Sequence, residues 1–272
     1  MQLSVFYNHI LVASEQTGKS VDEVLGLVRS FGIDAVELGR DEIGSDSKKL
    51  QEQLKKAGMA VSSIYETFDF GHAPDAEPGL KLIDTAFDFG ASKVLVIPGF
   101  IEVSASEQEK KLALDRMAKA LRQICDYADE KGITVTMEDF DDSRAPYASS
   151  DELVWFLTEV PKLGCTFDTG NFIYTGENEF DAFEKLADRT VHLHCKDRSL
   201  DEHNGGMAKI TLNGTKLYPS PAGSGVIKIK EIIHQMKKRG YDDTLVIEHF
   251  DSVDQLAYME QSAKWLQSII SE

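Results

Sequence analysis

"GCTFDTG" (164–170), "EFDAFEKLAD" (179–188) and "TVHLHCKD" (190–197) follow one another almost without interruption. They read as a β-rich run, an amphipathic helical run and a second β-rich run. Two parallel strands need a crossover between them, and a helix is the usual one, so the triplet predicts a parallel sheet. The first run also ends on a charge, Asp168, with no cation beside it in the chain. Its partner must come from elsewhere in the fold.

The same alternation extends in both directions. Upstream, "QLSVFYN" (2–8), "DAVELG" (34–39), "AVSSIYE" (60–66), "SKVLVIPG" (92–99) and "ITVTMED" (133–139) read as strands. Each is followed by a helical run: 21–32, 47–58, 79–90, 106–132 and 150–160. Downstream, a helix at 228–240, a strand "TLVIEHF" (244–250) and a helix at 252–270 complete eight repeats. Eight such units in 272 residues predict one domain, residues 1–272, closed as a (β/α)8 TIM barrel, a fold that typically needs about 250 residues. An open doubly wound sheet is disfavoured because "YNHILVAS" after the first strand is no Gly-rich phosphate turn. The 198–227 stretch is too long for a plain connection and is expected to be a lid, a substrate wall or a flap.

Barrel strands alternate between lumen and helix layer, and their C-terminal ends carry the chemistry. On the fifth strand Ile133, Val135 and Met137 face the helices, so Thr134, Thr136 and Glu138 face inward. On the sixth, Gly164, Thr166 and Asp168 face inward; on the seventh, His192, His194 and Lys196; on the eighth, Thr244, Val246 and Glu248. Four consecutive strands thus bring Glu138, Asp168, His194 and Glu248 to one rim. Singly, each has a plainer reading: a strand-end glutamate in a surface ion pair, a core histidine, or Asp168 or Glu248 paired with Lys196. Those readings leave Glu138 and the shared parity without an account. Three converging carboxylates repel one another unless a cation intervenes, and three oxygens with one imidazole suit a divalent ion. Mn²⁺ is the expected ion, with Zn²⁺, Co²⁺ and Mg²⁺ as alternatives.

"FGIDAVELG", "TMEDF", "TFDTGN", "HLHCKD" and "GSGVIKIKEIIHQMKKRGYDDTLVIEHF" together resemble the xylose-isomerase-like sugar phosphate isomerase/epimerase superfamily. That superfamily includes keto-sugar 3-epimerases, hydroxypyruvate isomerases and inosose dehydratases. The resemblance implies the same metal quartet, Glu138, Asp168, His194 and Glu248. It also implies that Glu138 and Glu248 form a catalytic acid/base pair for isomerising or epimerising a small carbohydrate through an enediolate. An inosose-type dehydratase on the same metal is the alternative. Two positions depart from the epimerase pattern. Asn171 stands where a substrate-contacting histidine is common, and it cannot relay a proton. Arg144 stands where a further carboxylate is usual, and an arginine would suit a carboxylate or phosphate. Lys196, His192, Tyr7, Glu66 and His72 complete the expected substrate-contacting set, each with a packing or solvated role as the plain alternative. "AGSG" (222–225) is a candidate phosphate seat at a helix start.

Other classes are less well served. An apurinic-endonuclease-like hydrolase shares the barrel, but the net charge of −17 opposes a nucleic-acid partner. A Schiff-base aldolase would need Lys196 with a lowered pKa, which three neighbouring carboxylates oppose. A barrel that only binds its ligand would show no turnover. Cys125, Cys165 and Cys195 are odd in number and scattered, so a reducing, cytoplasmic compartment is expected. Neither a signal peptide nor a membrane partner is expected; a homo-oligomer is compatible with the composition.

Overall fold

Ten strands and nine α-helices form in the computed structural model, which describes residues 1–272. The strands are β1 (Gln2–Phe6), β2 (Ala35–Gly39), β3 (Ala60–Thr67), β4 (Lys93–Ile97), β5 (Thr134–Met137), β6 (Gly164–Asp168), β7 (Thr190–Ser199), β8 (Lys209–Ile210), β9 (Lys216–Ser220) and β10 (Thr244–Glu248). β1 to β7 pair in parallel in chain order, and β10 pairs in parallel with both β7 and β1. Closure leaves no exposed edge, so the eight strands form a (β/α)8 TIM barrel with helices outside. The register sets Glu248 beside Lys196 and Asp168 beside His194, and so fixes which strand ends share the rim.

Nine helices form where eight were expected. α1 (Tyr7–Thr17) starts at the residue after β1 and ends on Gly18 at φ 69°, the left-handed conformation that stops a helix. The sequence reading ran the first strand on to Asn8, because "FYNHILV" has no clear period of its own. α2 (Val21–Ser30), α3 (Ser47–Ala57), α4 (Glu77–Phe89), α5 (Glu107–Glu130), α6 (Ser150–Glu159), α7 (Glu179–Leu186), α8 (Ile229–Lys238) and α9 (Gln255–Ser271) occupy the expected segments. Reciprocal capping boxes, Ser20 with Glu23, Ser106 with Glu109 and Ser149 with Glu152, start α2, α5 and α6 by satisfying otherwise orphaned N–H groups.

Outward strand residues pack against the helices in one continuous core. Phe167, for example, meets Phe172 at 5.0 Å and Phe183 at 5.5 Å between ring centroids. Each such buried aromatic contributes roughly 1.5–3 kcal/mol. The lumen carries polar pairs as well. Ser4 and Ser62 bond at 2.8 Å, Thr136 and Thr166 at 2.8 Å, and Lys93 reaches Asp243 at 2.5 Å. The 198–227 stretch is neither plain loop nor flap: β9 pairs antiparallel with the extended end of β7, and β8 with β9, which builds a wall above the rim. No helix is long and apolar enough to cross a membrane.

Candidate metal centre

Glu138, just past the end of β5, joins Asp168, His194 and Glu248 at the top of the lumen. One ligand atom from each lies within 4.8 Å of all the others. All four are buried, Asp168 and His194 completely. His194 Nδ1 lies 2.9 Å from Glu138 Oε2 and 3.2 Å from Glu248 Oε2, yet none of these three atoms has a hydrogen-bond partner. Buried polar atoms are rarely left unpaired, so atoms that converge without hydrogen-bond geometry are arranged for something placed between them. Three carboxylates and an imidazole are a donor set that a Mg²⁺, Mn²⁺, Co²⁺ or Zn²⁺ ion accepts. The residues therefore fit a divalent cation.

The surrounding polar groups hold this set. Asp168 Oδ1 accepts the Gly170 N–H at 2.7 Å, and its Oδ2 lies 3.3 Å from the Lys196 ammonium. Lys196 also reaches Glu248 Oε1 at 2.6 Å. Its backbone is tied twice to Thr169, whose hydroxyl donates to the Lys196 carbonyl and accepts its N–H. The tight Thr169-Gly170 turn after Asp168 thus carries β6 onto β7; a Cβ on Gly170 would stand 2.6 Å from the Lys196 carbonyl oxygen.

Electrostatics separate the two glutamates. Burial pushes the Glu138 carboxyl above its usual range, against the pull of His194. Burial acts the same way on Glu248, but Lys196 and His194 outweigh it and hold that carboxyl well down. Burial would lower Lys196, but Asp168 and Glu248 override it and keep the ammonium charged. A charged Lys196 is no Schiff-base nucleophile.

A cavity of about 510 Å³ opens above the four ligands. Asn171 and Lys196 line it; Asn171 donates its amide N–H to the Asp139 carbonyl and leaves Oδ1 free. Five expected contacts lie elsewhere. Tyr7 sits in α1, buried, with its hydroxyl toward Gln53, because the chain is already helical there; Phe6 takes the lumen position. Glu66 has the opposite parity to its neighbours Tyr65 and Thr67, which line the cavity. His72 is exposed and pairs with Asp69 at 2.8 Å. Arg144 is exposed, pairs with Asp142 at 2.8 Å and lines a separate surface groove of about 620 Å³ that contains none of the four ligands. His192 is completely buried one pleat below His194 and bonds Glu37 at 3.0 Å. The glycines of "AGSG" seat no outside anion, because Asp197 already accepts the N–H groups of Gly223, Gly225 and Ile227.

Several residues in the cavity wall or beneath it escaped the sequence reading. Glu37 and Phe6 were accessible to the same parity argument, applied to the first two strands. Arg198 and Lys209 were not. They meet over Asp141, at 2.7 and 3.1 Å, only because the β8–β9 hairpin folds back over the rim.

Comparison with known proteins agrees with this architecture. Inosose dehydratase of Lacticaseibacillus casei is 22% identical over 251 residues, which span 86% of this chain and 84% of that protein. The structure of L-ribulose 3-epimerase superposes with a TM-score of 0.75 at 17% identity, covering 100% of this chain and 95% of the other. A xylose isomerase-like TIM barrel protein of Mycobacterium smegmatis, solved in complex with magnesium, gives 0.69 at 21% identity, covering 92% and 88%. The family model for the xylose isomerase-like TIM barrel matches residues 25–269, from within α2 to within α9. With the closed barrel and nearly its whole length accounted for, the chain belongs to the xylose isomerase-like TIM barrel family.

Proposed function

We propose that this chain is a metal-dependent enzyme of small polyhydroxylated carbonyl compounds, and that it works as a dehydratase of the inosose type. The observation that carries the reading is the inequality of the two glutamates at the rim: Glu248 is clamped by Lys196 at 2.6 Å, whereas Glu138 is bound by no lysine or arginine. A reaction that swaps a proton between two faces needs two comparable carboxylates. An elimination needs one base and a cation to assist the departing oxygen.

Glu138, Asp168, His194 and Glu248 would hold the ion. When bound, it supplies a Lewis acid that polarises the substrate carbonyl. Glu138, raised by burial, takes the proton from the carbon beside that carbonyl. The electron pair of that C–H bond becomes the new C=C bond, and the C–O bond to the neighbouring hydroxyl breaks. Lys196 lies on the cavity wall to pair with the departing oxygen, and the proton held by Glu138 passes to that oxygen, which leaves as water and restores the Glu138 carboxylate. Net loss is one water, with no oxidant or reductant. Asn171 Oδ1, free of any partner, is placed to accept from a substrate hydroxyl. Phe6, Tyr65, Phe140 and Phe250 give the same cavity aromatic walls for a ring or carbon chain.

Isomerisation or epimerisation of a keto-sugar through the same enediolate is the second reading. It is favoured by the approach of both glutamates to one imidazole nitrogen. The two are separated by incubating the metal-loaded protein with inososes and keto-sugars in D2O. Dehydration appears as loss of the mass of water; epimerisation appears as deuterium uptake without it. Turnover insensitive to EDTA would end both readings. Mn²⁺ is the first ion to load, with Mg²⁺, Co²⁺ and Zn²⁺ in parallel.

A further inference from the structure

Beneath the four ligands lies a second, wholly buried cluster: Glu37 from β2 with His192 and His194 from β7. One oxygen, Glu37 Oε2, lies 3.0 Å from His192 Nε2 and 3.3 Å from His194 Nε2. We propose that Glu37 is a positioning residue that sets the tautomer of the metal-ligand histidine, an inference that rests on the metal reading above. A carboxylate only accepts, so both rings must present Nε2–H to it. A neutral ring with a proton on Nε2 carries a bare lone pair on Nδ1. In His194 that nitrogen is the one facing Glu138 and Glu248, at 2.9 and 3.2 Å.

The surroundings allow no substitute for Glu37. All three side chains are fully enclosed, so no solvent reaches the Nε2 atoms. The His194 ring stands edge-on to Phe6, 5.1 Å between centroids at 74°, and edge-on to His192, 5.5 Å at 74°. These contacts hold the ring plane but leave its protonation pattern open; the bond to Glu37 decides it. His192 brings a second N–H to the same oxygen and so pins the carboxylate below its ligand. Outer partners of this kind commonly govern metal affinity by about 10–100-fold.

The test is Glu37→Leu. Leucine accepts no hydrogen bond, so neither Nε2–H keeps its partner, whereas a glutamine oxygen has two lone pairs and could still accept both. The expected result, by calorimetric titration with Mn²⁺ and with Zn²⁺, is a loss of about 10–100-fold in affinity with an unchanged far-ultraviolet dichroism spectrum. His192→Gln, which leaves the His194 bond in place, is expected to stay within about threefold of wild type, well short of that loss. Imidazole ¹⁵N shifts of the Zn²⁺-loaded wild-type protein should show His194 bound through Nδ1 with its proton on Nε2, a reading that needs no variant to fold. Wild-type affinity in Glu37→Leu, a His194 that keeps its proton on Nδ1, or two ions bound per chain would each overturn the inference. Failure of the wild-type protein to bind any divalent ion would strike the metal reading, whereas ion binding that survives Glu37→Leu unchanged would strike this inference alone.

Discussion

The Lys196 ammonium lies 2.6 Å from Glu248 Oε1 and 3.3 Å from Asp168 Oδ2, and so bridges two of the four residues that converge at the barrel rim. Glu138, across the same rim, meets only the His194 ring. The two glutamates therefore differ in both charge and freedom. At saturating metal, Glu138→Gln should lose about 10²–10⁴-fold in kcat, the usual weight of a general base. Glu248→Gln should chiefly weaken ion binding and recover most of its kcat when the ion is raised. Equal kcat losses in the two variants would assign both glutamates to proton transfer.

A divalent ion at the rim would neutralise carboxylates that Lys196 already pairs with. Lys196→Met should cost the metal-free protein about 3–5 kcal/mol, the usual result of leaving buried charge unpaired. Most of that loss should return on adding the ion, which stabilises by about 2.7 kcal/mol at a hundredfold excess over its Kd. Urea unfolding with EDTA and with Mn²⁺ gives both numbers.

Gly170 stands where β6 turns onto the Lys196 backbone, 2.6 Å from the carbonyl oxygen to the position a Cβ would take. Gly170→Ala should destabilise by about 1–3 kcal/mol, as overpacking does. Because Asp168 accepts the N–H of the same residue, the substitution should weaken metal binding as well. Paired unfolding and titration measurements check this.

Glu42 supplies a pH dependence remote from the ligands. Burial, opposed by the Gly39 N–H, pushes its carboxyl up to about 7. The folded state therefore binds more protons than the unfolded chain between the ordinary glutamate value and about pH 7. Its contribution is present in full below that window and falls as pH rises through it. After allowance for solvent screening at this half-buried site, the loss is about 2 kcal/mol. Glu42→Gln keeps an acceptor for Gly39 and should flatten the slope between pH 4.5 and 7 in denaturant unfolding, with higher stability than wild type at pH 8.

The alternation of β-rich and amphipathic runs determined the barrel, since eight parallel strands joined by helices within about 250 residues suit a closed sheet. The period of two along β6, β7 and β10, and just beyond the end of β5, determined which carboxylates and which imidazole share a rim. Those facts are local, and a linear chain displays them. Tertiary structure alone decided what each group touches. Tyr7 misses the cavity because α1 begins at once after β1, and Arg144 lies on a separate groove, paired with Asp142. The clamp of Lys196 on Glu248 and the grip of Glu37 on two histidines join residues 52 or more positions apart in the chain. Such contacts depend on strand register and on how a side chain leaves its strand, and neither is written in the spacing of residues along a single run.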